Sequence, residues 1–174
     1  MSKLKLVLPT PEYKEKIMDY KREFLENGDS MDGTAGLKDA ESFEKWYTAF
    51  CNNLKEETVA KGLVPATTYL AISTEDGRLI GMIDIRHRLN DYLLSFGGHI
   101  GYSVRKSERQ KGYATEMLAL ALKECIKLDI NKVLITCNKE NIGSAKTILN
   151  NNGKFENEIV EGSRITQRYW ITLD

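Results

Sequence analysis

Chemistry concentrates in one stretch, His99-Ile100-Gly101-Tyr102-Ser103-Val104-Arg105-Lys106-Ser107-Glu108-Arg109-Gln110-Lys111-Gly112-Tyr113-Ala114, where a run of strand formers meets a basic turn and then a helical pattern. Such a junction suits an anion. The first turn of a helix leaves backbone N–H groups unpaired at the positive end of its dipole, and a glycine there lets a phosphate approach the main chain. Gly112 occupies that place. Arg105, Lys106, Arg109 and Lys111 against Glu108 leave a local excess of three positive charges in a chain that is neutral overall, with 25 basic and 25 acidic residues. The turn lacks the Gly-Lys-Ser/Thr ending of a nucleotide P-loop and the three-glycine dinucleotide fingerprint, which disfavours ATP and NAD. A different diphosphate-bearing ligand is expected.

The elements that must carry this turn can be read from local periodicity. Lys3 to Leu8 alternates as a half-buried strand, and Thr10-Pro11-Glu12 reads as a capped helix start. Tyr13, Ile17, Tyr20, Phe24 and Leu25 predict an amphipathic helix ending near Asn27-Gly28, with a loop from Asp29 to Lys38. Phe43, Trp46, Tyr47, Phe50, Cys51 and Leu54 form one stripe of a second helix. Thr67 to Ser73 and Leu79 to Arg86, joined by Glu75-Asp76-Gly77, predict a hairpin. His99 to Val104 follows as a strand and Gly112 to Leu128 as a helix with Ala114, Met117, Leu118, Ala121, Leu122 and Cys125 buried. Val133 to Ile135 reads as a short interior strand, Asn141 to Asn152 as a helix closed by Gly153, and Phe155 to Glu161 with Arg164 to Leu173 as a last hairpin. This order predicts an α+β fold on a mixed sheet.

The 174 residues are 41% hydrophobic and 9% aromatic, with 13 Gly and 3 Pro, the make-up of a single globular domain spanning residues 1–174. Zero net charge argues against a nucleic-acid partner, since phosphate binding leaves a basic excess. No apolar run approaches the ~18 residues of a spanning helix, and the apolar stretch near Met1 is shorter than a signal core. A cytoplasmic protein without membrane contact is expected. Cys51, Cys125 and Cys137 are odd in number and lack Cys-x-x-Cys spacing, so neither a disulfide nor a metal site is predicted. Each is expected to pack as a small buried hydrophobe.

The run from Tyr102 to Ala114, above all Val104 and Arg109-Gln110-Lys111-Gly112-Tyr113-Ala114, resembles the Arg/Gln-x-x-Gly-x-Gly/Ala signature of the GNAT N-acetyltransferases. Asn141-Ile142-Gly143-Ser144, followed by Gly153 and Phe155, is similar to the family's second cofactor segment, and the element order agrees over nearly the whole chain. The resemblance implies acetyl-CoA as cofactor and a mostly antiparallel central sheet with flanking helices. The fourth strand, here Tyr102, Ser103 and Val104, would meet the pantetheine arm. Arg109, Gln110, Lys111, Gly112, Tyr113, Ala114 and Thr115 would hold the diphosphate, largely through backbone groups, with Asn141 and Ser144 touching the cofactor from the next helix. Asn141 also reads as a plain helix N-cap. A bulge in the fourth strand would splay it from the fifth and make the cleft.

Amine acetylation needs a neutral nitrogen and a stabilised leaving thiolate. Many family members protonate that thiolate with a tyrosine on the helix after the second cofactor segment, where this chain has Ile148 or Leu149. For the catalytic base the resemblance leaves Asp84 and His99, both close to the family's reactive amine. Strand alternation sets His99 on the face opposite Ile100 and Tyr102 unless a bulge shifts the phase. His87, between Arg86 and Arg88, reads as a solvated strand end, and Arg86 could grip a substrate carboxylate. Glu26, Asp29, Asp32, Asp39, Glu41 and Glu44 against Lys38 leave five negative charges in the segment that forms one cleft wall in the family, which would attract a cationic amine.

The implied activity is transfer of acetyl from acetyl-CoA to a primary amine of a small molecule, cationic in one reading, by direct attack in a ternary complex. Two alternatives stand beside it: an acyl-CoA-binding sensor without turnover, and an acetyltransferase for protein N-termini or lysines. Family members often pair, so a homodimer is a further expectation.

Overall fold

The structure, a computed structural model, describes residues 1–174. Seven strands form one sheet: β1 (Leu4–Val7), β2 (Ala66–Ser73), β3 (Leu79–Arg86), β4 (Ile100–Val104), β5 (Lys132–Asn138), β6 (Lys154–Glu161) and β7 (Arg164–Thr172), in the spatial order β1-β2-β3-β4-β5-β7-β6. Every neighbouring pair is antiparallel except β4 and β5. The predicted α+β class with a mixed, mostly antiparallel sheet is what the chain adopts.

Strand alternation sorts side chains to two cores. On one face α1 (Lys14–Asn27) and α2 (Phe43–Asn52) bury Ile17, Tyr20, Phe24, Phe43, Trp46 and Phe50 against Leu70, Ile72 and Met82. On the other, α3 (Tyr113–Lys127) and α4 (Ile142–Asn150) bury Met117, Leu118, Ala121 and Ile148 against Ile83, Ile85, Val133 and Ile135. Gly28 ends α1 in the left-handed conformation at φ 66°, as its lack of a Cβ permits. Three local expectations need correction. Thr10 makes no capping bond; a single 3₁₀ turn, Pro11–Tyr13, precedes α1. Cys51 is exposed, because the apolar stripe of α2 is centred on Phe43, Trp46 and Phe50, while Cys125 and Cys137 are buried. The strand expected at Val133 to Ile135 runs from Lys132 to Asn138, since all seven residues pair with β7.

The feature that makes a site is the parting of β4 from β5. Their parallel register is confined to Ile100 against Ile135, with one further bridge from Gly98 to Ile135. Gly98 combines a positive φ of 67° with an extended ψ of −173°, and a Cβ there would lie 2.6 Å from Leu134 O. Only glycine tolerates that approach. The bulge expected within the fourth strand is absent from its pairing with β3, which runs without a break from Ile100 to Val104. The irregularity falls just before the strand, at Gly98 and His99.

Candidate active site

Arg86 N–H donates to His99 O at 2.7 Å and Arg105 N–H donates to Ile80 O at 3.0 Å. In the β3–β4 register this turns the backbone groups of Gly101 and Ser103 toward β3 and those of Tyr102 and Val104 into the gap before β5. The chain then passes through a 3₁₀ turn, Lys106–Glu108, and two left-handed residues, Gln110 at φ 62° and Gly112 at φ 83°, into α3. The backbone N–H groups of Gln110, Lys111, Gly112, Tyr113, Ala114 and Thr115 donate to no carbonyl of the chain. Consecutive open donors at the positive end of a helix form an anion cradle. A Cβ added to Gly112 would meet nothing within 4 Å, so the space over the cradle is open. These groups fit a diphosphate.

Side-chain charge contributes less than the sequence suggested. Arg105 is 2% exposed and is held by Asp19, Glu23 and Leu79 O, pointing away from the cradle. Arg109 donates from Nε to Val104 O at 2.8 Å and pairs with Asp29 at 3.2 Å. Lys111 pairs with Glu108 at 2.8 Å. The local excess of positive charge is therefore largely neutralised within the fold, and the main-chain donors with the α3 dipole remain as the anion-binding elements.

Asn141 caps α4, its Oδ1 accepting Ser144 N–H at 3.1 Å. The Ser144 hydroxyl lies 2.7 Å from the Tyr102 hydroxyl, which also donates to Ser144 O at 3.3 Å. Tyr102 thus spans the gap from β4 to α4. Burial pushes its phenol up to about 12, so the proton is retained at neutral pH. Ser103 faces the other way, and its carbonyl accepts from Tyr20 at 2.9 Å. Ile148 is buried and Leu149 exposed, so α4 presents no hydroxyl at those positions.

On the face of α1 and α2, Asp84 stands opposite Gly101. Its carboxylate accepts from Thr68 at 2.8 Å and pairs with Arg86 at 3.2 Å. Burial raises its proton affinity, with Arg86 and Thr68 pulling against the rise. Arg86 also donates from Nη1 to Gly97 O at 3.1 Å, so Asp84 and the chain before β4 already hold two of its three nitrogens. His87 is half-buried against Thr67 at 2.8 Å rather than solvated. His99 lies on this same face by strand alternation; its Nδ1 accepts Leu134 N–H at 2.9 Å. Burial, and then the charge of Arg86, depress the imidazole to about 4. The loop after α1 lies directly on β4: Gly33 is left-handed at φ 72°, and a Cβ there would collide with Gly101 O and lie 2.7 Å from Tyr102 Cα. Trp46 holds the loop from behind, donating to Thr34 O at 2.7 Å.

The structure therefore gathers Tyr102, Val104, Gln110 to Thr115, Asn141 and Ser144 around the gap, and sets Asp84 and His99 on the opposite face of the sheet. Gly33 and the Tyr102 hydroxyl are site features that sequence reasoning missed. A lone loop glycine and a strand tyrosine carry no local sign of what they will touch.

A sheet split after its fourth strand, beside a main-chain anion cradle on the following helix, defines an acyl-CoA-type cleft. The model of the acetyltransferase (GNAT) domain family matches residues 4–153, and the chain belongs to this family. Acetyl-CoA is the acetyl donor of the family, and the gap and cradle fit it. Similar folds include Mycobacterium smegmatis RimJ in complex with CoA-disulfide (TM-score 0.71, 20% identity, covering 97% of this chain and 81% of that one). Another is RimL, a ribosomal L7/L12 alpha-N-protein acetyltransferase in complex with coenzyme A (TM-score 0.74, 14% identity, 100% and 96% covered). A third is the ribosomal-protein-S5-alanine acetyltransferase from Vibrio fischeri (TM-score 0.71, 14% identity, 100% and 95% covered). Among curated protein sequences none matches the chain. No helix is long and apolar enough to cross a membrane.

Proposed function

We propose that the protein transfers acetyl from acetyl-CoA to a primary amine, and that the amine is the N-terminus of a polypeptide. The observation that carries the acceptor half is the engagement of the bases on the acceptor face. His99 is held near 4 with its acceptor nitrogen occupied, and both oxygens of Asp84 have partners. An α-amine of pKa about 7.7–8.0 is roughly one part in ten neutral at pH 7, whereas a lysine of pKa about 10.4 is neutral only about one part in 2,500. A site whose one candidate base, Asp84, is already held by Thr68 and Arg86 suits the amine that is more easily made neutral. The protein substrates named for RimL and the Vibrio fischeri enzyme agree with this reading. A small cationic amine remains the second reading, favoured by the acidic stretch from Glu26 to Glu44.

Acetyl-CoA supplies an activated thioester. The open N–H groups of residues 110–115 hold its diphosphate, while the main-chain groups of Tyr102 and the N–H of Val104 orient its arm. Asp84 takes the proton of the attacking amine, and burial moves its proton affinity in the direction a base requires. His99 acts as a positioning residue that joins β4 to β5 where the gap begins. With Ile148 and Leu149 on α4, the hydroxyls in the gap are those of Tyr102 and Ser144; we assign to Tyr102 the proton given to the leaving thiolate, with the Ser144 hydroxyl passing a solvent proton back to the phenolate.

Calorimetric titration with acetyl-CoA, with ATP and NAD as controls, tests the cofactor. One-to-one binding of acetyl-CoA alone is expected. Turnover is then compared on Ser- and Ala-initiated peptides, the same peptides with blocked N-termini, and spermidine. Acetylation of spermidine alone would replace the polypeptide reading with the small-amine one; binding without turnover of any amine would favour a sensor.

A further inference from the structure

Arg109 sits in the middle of the cofactor turn, yet its side chain reaches across the end of β4 to the elements of the acceptor side. Nε donates to Val104 O at 2.8 Å, a terminal nitrogen lies 3.2 Å from Asp29 Oδ2, and the guanidinium carbon stands 5.6 Å from the centroid of the Phe24 ring. Phe24 is buried in the last turn of α1, and Asp29 is the first residue after Gly28 ends that helix. Asp29 Oδ2 is buried and accepts no hydrogen bond, so the nearby guanidinium charge is what compensates its loss of water. Four residues further on, Gly33 rests on Gly101, and Trp46 fixes Thr34. The acceptor loop thus has anchors at Asp29, Gly33 and Thr34, and the first belongs to the cofactor turn.

We propose that Arg109 is a positioning residue for the acceptor loop rather than a phosphate ligand. It holds Asp29, and with it residues 29–40, against the end of β4, while the N–H groups of residues 110–115 are left to take the diphosphate. The loop-positioning half stands on this geometry alone; the exclusion from phosphate binding rests on the acetyl-CoA reading given above.

The test uses the full chain as wild type, Arg109→Gln, Asp29→Asn and the double variant. Acetyl-CoA affinity is measured by calorimetry, amide hydrogen exchange over residues 29–40 by mass spectrometry, and acceptor KM and kcat on the amine that the wild type turns over. A partly exposed ion pair with a cation–π contact is expected to change loop exchange by about fivefold to tenfold in both single variants. Acetyl-CoA affinity stays within about twofold, acceptor KM rises with the loop exchange while kcat is kept, and the double variant exchanges no faster than Arg109→Gln, because that variant has already lost the Asp29 contact. Arg109→Gln weakening acetyl-CoA tenfold or more with loop exchange unchanged would make Arg109 a phosphate ligand and overturn the proposal. So would unchanged exchange in both variants. Should Arg109→Gln fail to fold, Asp29→Asn decides the exchange comparison. Should the wild type not bind acetyl-CoA, the functional reading falls, and loop exchange still decides what Arg109 holds.

Discussion

His99 clasps Leu134 twice: its backbone N–H donates to Leu134 O at 2.7 Å, and its imidazole Nδ1 accepts Leu134 N–H at 2.9 Å. The clasp fastens the chain entering β4 to β5 beside Ile100 and Ile135, the registered pair at which the two strands meet before they part. Only a neutral imidazole offers that lone pair.

The clasp makes stability depend on pH. A folded value of about 4, below the ordinary 6.5, means the contribution is complete above 6.5 and is lost as pH falls through about 4. The full shift corresponds to about 3 kcal/mol. Denaturant unfolding between pH 7 and pH 4 should show this loss, and His99→Gln, which can still accept the Leu134 N–H but cannot titrate, should flatten it. An equally steep profile in the variant would deny His99 the role.

Gly33→Ala forces a Cβ into the main chain of β4 at a left-handed position. The expected result is a destabilisation of about 1–3 kcal/mol and loss of acceptor turnover, with acetyl-CoA affinity kept because residues 110–115 are untouched. Turnover at the wild-type rate would show that the loop does not line the acceptor site.

Asp84→Asn should lower kcat/KM by about 10²–10⁴. The acid limb of the wild-type pH profile should lie above the ordinary carboxylate range, since burial raises the Asp84 pKa, and should vanish in the variant. The variant leaves Arg86 without its charge partner, so thermal melting must accompany the kinetics. A wild-type rate with a wild-type pH profile places the base elsewhere.

At Gly112 two substitutions separate charge from backbone strain. Alanine has room but must adopt φ 83°, at a cost of about 1–2 kcal/mol. It should still bind acetyl-CoA measurably. Glutamate adds negative charge where the diphosphate lies and should abolish calorimetric binding in a folded protein. Retained affinity in Gly112→Glu would move the cradle away from α3.

Tyr102→Phe removes the hydroxyl that meets Ser144 and keeps the ring and the main chain. We expect kcat to fall by about 10–100-fold, toward the lower range for one proton-transfer group, with acetyl-CoA affinity nearly unchanged. An unchanged kcat would leave the thiolate to be protonated by water.

What the residues determine without the fold is whatever depends on near neighbours in the chain. The left-handed Gly112 before α3, the Asn141 cap on Ser144, the stop at Gly28 and both hairpins follow from spacing over a few residues. Reading the turn before α3 as an anion site needed nothing more. The directions of side chains within that turn did not follow: Arg105 and Arg109 look like phosphate ligands by charge, yet they are drawn to Asp19, Glu23 and Asp29, which lie some eighty residues earlier in the chain. Likewise, only the insertion of β7 between β5 and β6 lengthens β5, and only the meeting of Gly33 with Gly101 lays the loop after α1 on β4. Local periodicity and turn chemistry are set by backbone sterics within one element, whereas the gap, the buried ion pairs and the glycine contact arise where distant segments compete for the same space and the same hydrogen bonds.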